Sequence, residues 1–202
     1  MAHLKDMKSM EAIIFDLDGT LLDSMHFWDN LMFDFIRDKG LSFDSELIRL
    51  LPEQTIKETA EYVSDRYPHL GGAQQILSNW QNRAIEAYRT ELLLKPGARE
   101  LVIELASSGK KLAIATMSEH AVVDRVLERH GLDQYFEVVY TVEDVDVGKH
   151  QPKIWLEIAK RIGVPPESCI VIEDAYFAAK TAKSAGFFVI GTKDASNAAF
   201  AD

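Results

Sequence analysis

From Pro96 to Ile190 the chain alternates short apolar runs with amphipathic helical stripes, and this alternation restricts the fold more than any other feature. Pro96 opens a helix through Leu101, Val102 and Leu105 that Gly109 ends. Lys111–Ala115 then reads as a strand stopping at Thr116-Met117-Ser118. Val122, Val123, Val126 and Leu127 line a helix closed by Gly131, and Phe136–Tyr140 is the next strand. A helix from Pro152 to Arg161 has Gly163 just past its end. A strand Ser168–Ile172 runs into Glu173-Asp174, a helix Ala175–Ala185 is ended by Gly186, and Phe187–Ile190 is the last strand. Parallel neighbours require long crossovers, so the pattern predicts βαβ units with right-handed connections. The expected fold is α/β, a Rossmann-like doubly wound, mostly parallel sheet with helices on both faces.

Upstream the rhythm differs. Residues 11 to 17, Glu-Ala-Ile-Ile-Phe-Asp-Leu, form an apolar run that halts at Asp18-Gly19-Thr20 and reads as a buried strand delivering its end to a polar site. From Ser24 to Leu94 the periodicity is helical throughout. Met25, Trp28, Met32 and Phe35, widened by Leu31 and Ile36, mark a first helix closed by Gly40. Pro52 opens a second, in which Ile56, Ala60, Val63 and Tyr67 share a face before Pro68 and Gly71-Gly72 break it. A third runs from Ala73 to Glu91 through Ile76, Trp80, Ile85 and Tyr88. The predicted organisation is a core of residues 1–23 and 95–202, interrupted by an all-helical module, a cap, over residues 24–94.

Composition narrows the function classes. With 202 residues, 47% hydrophobic and 27% charged, the chain is long enough for a sizeable core. Its net charge of −10 and lack of a basic run argue against binding nucleic acid or an anionic membrane. No apolar stretch reaches the roughly 20 residues of a membrane span. The lone Cys169 cannot form an internal disulfide, and Met1–Met10 shows no apolar segment of a secretory leader, so a cytoplasmic protein is expected. The default oligomeric state is a monomer, for which the sequence carries no signal of its own.

In open α/β sheets, ligands bind at the carboxyl ends of the strands. Here those ends offer Asp16 and Asp18, then Thr116 and Ser118, then Glu173 and Asp174, with Lys149 in the loop after the third strand. Clustered acids repel by several kcal/mol each at contact distance, so they imply a cation among them. An oxygen-only donor set suits Mg²⁺ that retains waters and shares a substrate phosphate. An aspartate beside such an ion can act as a nucleophile toward phosphorus. Asp18, on the same strand face as Asp16 if the extension continues, can serve as general acid and base. Lys149, the Thr116 hydroxyl and the backbone N–H groups after Thr116, beginning with Met117, can neutralise phosphoryl oxygens.

Four segments in order carry a family resemblance. Phe15-Asp16-Leu17-Asp18-Gly19-Thr20-Leu21 resembles the first motif of the haloacid dehalogenase-like superfamily, and Thr116-Met117-Ser118 its second. Gly148-Lys149-His150-Gln151-Pro152 resembles the third and Val171-Ile172-Glu173-Asp174 the fourth. The helical insertion after Asp23-Ser24 is similar to the α-helical cap of the β-phosphoglucomutase and phosphoglycolate phosphatase branch. The resemblance implies Asp16 as nucleophile and magnesium ligand. It implies Asp18 as acid/base that also offers its backbone carbonyl to the metal, Thr116 and Lys149 on the phosphate, and Glu173 and Asp174 on Mg²⁺. Dehalogenases of the superfamily lack an acid two places after the nucleophile, so Asp18 directs the reading to phosphate chemistry.

Blander readings compete with these. A calcium loop starting at Asp16 would need glycine at its sixth position, where Leu21 stands. A thiol phosphatase built on Cys169 would want arginine where Ala175 is, so the thiol reads as buried strand packing. Lys153 rivals Lys149 but falls in the first turn of a helix. Trp28, Trp80 and Trp155 read as packing residues and His26 as exposed.

Some positions depart from the family pattern. Met117 replaces a usual asparagine, Ala175 and Ala178 replace a usual serine and glycine, and Trp28 stands where sugar phosphomutases tend to carry histidine. The expected activity is hydrolysis of a small phosphorylated metabolite through an aspartyl-phosphate. A sugar-phosphate mutase is the alternative, and a non-catalytic relative the third reading.

Overall fold

The computed structural model describes residues 9–40, 54–145 and 147–194. Pro52 lies outside the described residues, as do the side chains of Met32 and Ile36. Among the described residues, five strands form one sheet: β1 (Ala12–Phe15), β2 (Lys111–Ala115), β3 (Val138–Tyr140), β4 (Cys169–Glu173) and β5 (Phe188–Gly191). Their order is β3-β2-β1-β4-β5 and every pairing is parallel. Phe15 is in register with Ile114 on one side and Ile172 on the other, so three strands end level with one another.

Central β1 is buried along its whole length, as a strand covered on both faces must be. Its alternate residues supply two cores. Ile13 and Phe15, with Leu112, Ile114 and Ile170, face a cluster built from α4 (Ala98–Ser107) and α5 (His120–His130). Ala12 and Ile14, with Ala113, Ala115 and Val171, face α7 (Lys153–Ile162) and α8 (Tyr176–Ser184). The small α6 (Val142–Val145) leads from β3 toward α7. Ile154, Trp155, Ile158 and Ile162 are the buried stripe of α7, and Gly163 at φ 68° caps it.

Between β1 and α4 the described chain is helical: α1 (Met25–Asp38), α2 (Ile56–Arg66) and α3 (Ala73–Thr90). The described start of α2 is set by a capping box rather than a proline. Thr55 Oγ1 accepts from the Glu58 N–H at 3.2 Å, and Glu58 accepts from the Thr55 N–H at 2.7 Å. Ala60, Val63, Ile76 and Trp80 form a separate small core, with Phe35 edge-on to Trp80. The second half of α3 leaves that core. Ala84, Ala87 and Tyr88 join the main cluster against α5. The excursion begins and ends at one rung: Leu22 bridges Leu94, the Asp23 N–H donates to Leu93 O at 2.9 Å, and the Lys95 N–H donates to Leu21 O at 2.8 Å.

Two expectations about element ends are corrected. The helix expected from Pro96 starts at Ala98, because Gly97 adopts φ 82° and belongs to a turn closed by the Ala98 N–H on Lys95 O. The first strand ends at Phe15 rather than Leu17, and this places Asp18 elsewhere than the extended reading assumed.

Candidate active site

Asp16 is the first residue past β1, and its N–H still donates to Ile172 O at 2.9 Å, so the backbone is held in strand register. Beyond it the chain turns at once. The N–H groups of Leu21 and Leu22 both reach Leu17 O, and Gly19 at φ 82° completes the reversal. Asp16 and Asp18 therefore do not continue one pleated face. Asp16 stays with the sheet, while Asp18 starts the turn.

Around Asp16 stand Glu173, the last residue of β4, and Asp174, which follows it. One oxygen from each of the three lies within 4.8 Å of the others. Lys149 enters from the loop before α7, only 2% exposed. Its ammonium donates to Asp16 Oδ1 and, at 2.7 Å, to Glu173 Oε2. It also sits 5.2 Å from the centre of the Trp155 ring, a desolvated cation–π contact of about 2 kcal/mol. Glu173 is fully engaged, because its Oε1 accepts from the Ala175 N–H at 3.0 Å.

One ammonium thus faces three acids. Burial, then the charge of Glu173, pushes the Asp16 carboxyl well above its ordinary range, against the pull of Lys149. Asp174 is raised to about 7 by burial first and Glu173 second. For Lys149, burial works against the charge, yet Asp16 and Glu173 outweigh it and the ammonium is held more firmly than usual. The ion pair therefore holds the charge of Lys149 in place without doing the same for Asp16. The excess of acid explains the asymmetry: one ammonium bridges Asp16 and Glu173 and cannot offset the charge of three acids. Among the described residues, Asp16 Oδ2 is buried with no hydrogen-bond partner. A buried, unpartnered carboxylate oxygen in an oxygen-only set of acids fits a hard divalent cation such as magnesium.

Asp18 belongs to a different arrangement. Its Oδ1 accepts from Ser24 Oγ at 2.7 Å and from the Tyr88 hydroxyl, and its Oδ2 accepts from Ser118 Oγ at 2.7 Å. Tyr88 is fully buried, and its hydroxyl also receives Trp28 Nε1–H at 3.2 Å and lies 3.2 Å from Ser118 Oγ. Burial, then the neighbouring Asp18, pushes the Tyr88 phenol well above its ordinary value. The expectation that the Asp18 carboxylate would share the acid cluster of Asp16 is thus corrected: hydroxyls surround it instead.

The remaining predicted residues lie at the end of β2 or beside the loop. Thr116 is buried, and its Oγ1 accepts from the Ser118 N–H at 3.0 Å. Met117 is half-buried, its methyl 3.8 Å from where a Cβ on Gly148 would stand. Lys153 is exposed and donates to Val145 O, which separates it from Lys149. The side chain of His26 is 65% exposed. Sequence reasoning passed over Tyr88 as a site residue. The signal was there: a phenol on the buried stripe of α3 needs a partner for its O–H.

Comparison with known proteins gives the family and the fold of the chain. The family model of haloacid dehalogenase-like hydrolases matches residues 10–186. A phosphorylated carbohydrates phosphatase of Thermotoga maritima is 32% identical over 187 residues, covering 88% of this chain and 82% of that protein. The fructose-1-phosphate phosphatase YqaB of Escherichia coli is 28% identical, covering 90% and 96%. The crystal structure of CbbY from Rhodobacter sphaeroides in complex with phosphate superposes with a TM-score of 0.78 at 25% identity, covering 94% of this chain and 88% of that one.

Proposed function

This chain belongs to the haloacid dehalogenase-like hydrolase family, as one of its phosphatases, and we propose that it hydrolyses small phosphorylated sugars through an aspartyl-phosphate on Asp16. The observation that carries the proposal is the buried, unpartnered Oδ2 of Asp16 at the end of the central strand, beside Lys149, Glu173 and Asp174.

Asp16, Glu173 and Asp174 would hold Mg²⁺, with the Asp18 backbone carbonyl as the resemblance implies; the ion would supply positive charge to the phosphoryl oxygens. Asp16 attacks phosphorus, a new O–P bond forms, and the departing sugar oxygen takes a proton from Asp18. Water then attacks the aspartyl-phosphate. Asp18 accepts the water's proton, the bond between Asp16 and phosphorus breaks, and phosphate leaves. Lys149 keeps Asp16 oriented and offsets charge on the phosphoryl group, assisted by the Thr116 hydroxyl and the Met117 backbone N–H. Residues 24–94 act as a cap that closes over the site, excludes water and reads the sugar. The enzyme works as a cytoplasmic monomer in this proposal; among the described residues no helix is long and apolar enough to cross a membrane. No observation favours the mutase alternative over hydrolysis.

The test is phosphate release from a panel of hexose and pentose phosphates and polyol phosphates. Turnover should require Mg²⁺ and vanish in Asp16→Asn. Full activity of that variant would overturn the assignment of the nucleophile.

A further inference from the structure

The geometry points to Tyr88 as the residue that aims Asp18 during the second half of the reaction, with Trp28 holding Tyr88 in place. The inference rests on the reading above, in which Asp18 is the acid and base. Through Tyr88, the helical excursion reaches that group directly.

Asp18 stands on a turn rather than on the sheet, so the sheet's hydrogen bonds do not fix its side chain. Three hydroxyls from separate parts of the chain do. Ser24 lies just past the turn, Ser118 follows β2, and Tyr88 lies on α3, 70 residues away in sequence. Tyr88 is the only one of these three hydroxyls carried by a helix of the excursion. Its ring is anchored in the main core, and Trp28 of α1 both donates to its hydroxyl and packs edge-on at 6.1 Å between ring centres. Two helices of the excursion therefore converge on the Tyr88 hydroxyl, and through it on one oxygen of Asp18.

The two half-reactions make unequal demands on this device. While the sugar is present, its bridging oxygen hydrogen-bonds to Asp18 and helps to orient it. Once the sugar has left, that partner is gone. The attacking water is small and mobile, and the hydroxyls alone then hold Asp18 in line with it. Losing the Tyr88 hydroxyl should therefore slow hydrolysis of the phosphoenzyme more than its formation. Ser24 and Ser118 would still accompany Asp18, but Oδ1 would lose its link to α3.

The split is measurable with p-nitrophenyl phosphate and Mg²⁺, because nitrophenolate needs little help from an acid to leave. In rapid-mixing experiments on the full chain, Tyr88→Phe should release a burst of nitrophenolate approaching one equivalent per enzyme, at a rate near wild type. Its steady-state kcat should fall about tenfold, as for loss of a hydrogen bond to a charged group, and KM should fall with it. Mass spectrometry of quenched protein should show phosphate accumulating on Asp16. Trp28→Phe, which keeps a ring but removes the donor to Tyr88, should shift the same ratio by a smaller factor. It decides the question by the same criterion if Tyr88→Phe does not fold. Burst and steady rates that fall together, or do not change, would overturn the role of Tyr88 while leaving the phosphoenzyme intact. Absence of phosphate on Asp16 in wild type and variants alike would instead overturn the underlying mechanism.

Discussion

Gly19 and Asp174 are packed so closely that a Cβ on the glycine would stand 2.8 Å from Cγ of the carboxylate and would overlap its oxygen. The same glycine holds φ 82°, so alanine there meets two separate penalties. Gly97 provides the comparison: it has the same φ, but among the described residues nothing beyond its chain neighbours lies within 4 Å of where a Cβ would stand. Gly97→Ala should lose only stability, on the order of 1–3 kcal/mol. Gly19→Ala should lose that and also displace Asp174, weakening Mg²⁺ binding in calorimetry at least tenfold. Equal Mg²⁺ affinity in the two variants would disprove the role given to the Gly19 gap.

The excess of acid around Lys149 has a consequence for stability. Asp16→Asn removes one buried charge and points an amide toward the two remaining acids. Without divalent ions its melting temperature should exceed that of wild type, by about 2–4 °C for each kcal/mol of repulsion relieved. Lys149→Met should go the other way, by about 3–5 kcal/mol, because it leaves buried carboxylates with no cation. Thermal melts in EDTA measure both, and a destabilised Asp16→Asn would contradict the account.

His130 gives the protein a pH dependence away from the site. Partial burial, then the neighbouring Arg129, lowers its pKa from the ordinary 6.5, against the pull of Leu92 O, which lies 3.2 Å from its Nε2. The unfolded chain therefore binds this proton more readily than the folded one, and stability rises with pH. The contribution is complete above pH 6.5 and is lost as the pH falls through the lower folded value. Asp16 and Asp174, both raised, act in the opposite sense over this range, so the effect of His130 is read as a difference. From pH 7.5 to 5 the urea midpoint of wild type should fall relative to that of His130→Gln, and a constant difference between the two would show that His130 has no such effect.

Cys169 should behave as an inert core residue. Its thiol is fully buried in β4, donates to Pro165 O at 3.4 Å, and is pushed up to about 12 by burial first and nearby Glu11 and Glu167 next. A disulfide reagent at pH 8 should find no reactive thiol in the native protein and one in guanidinium chloride. Phosphatase activity should survive the treatment, and rapid inactivation would reopen the thiol reading.

The sheet was legible because each strand repeats the same local statement: a β-rich apolar run ended by polar residues. The acids at those ends were legible too, since parallel strands in register bring their last residues together whatever lies between them. What failed was local and geometric. Pro96 looked like a helix start, but the positive φ of Gly97 belongs to a turn. Asp18 looked like a partner of Asp16 on one face, but Leu17 O captures two later N–H groups and folds the chain back before a second pleat can form. Tyr88 was hidden by distance. Its stripe predicted burial, while its partner 70 residues earlier is set by how α3 crosses from the small core into the large one.

The single rung joining Leu22 to Leu94 makes the excursion interchangeable. Whatever its length or content, a segment entering at one side of that rung and leaving at the other imposes no new register on the five strands. A lineage could exchange the attachment, and with it the molecules it recognises, provided that the replacement again delivered a hydroxyl to Asp18.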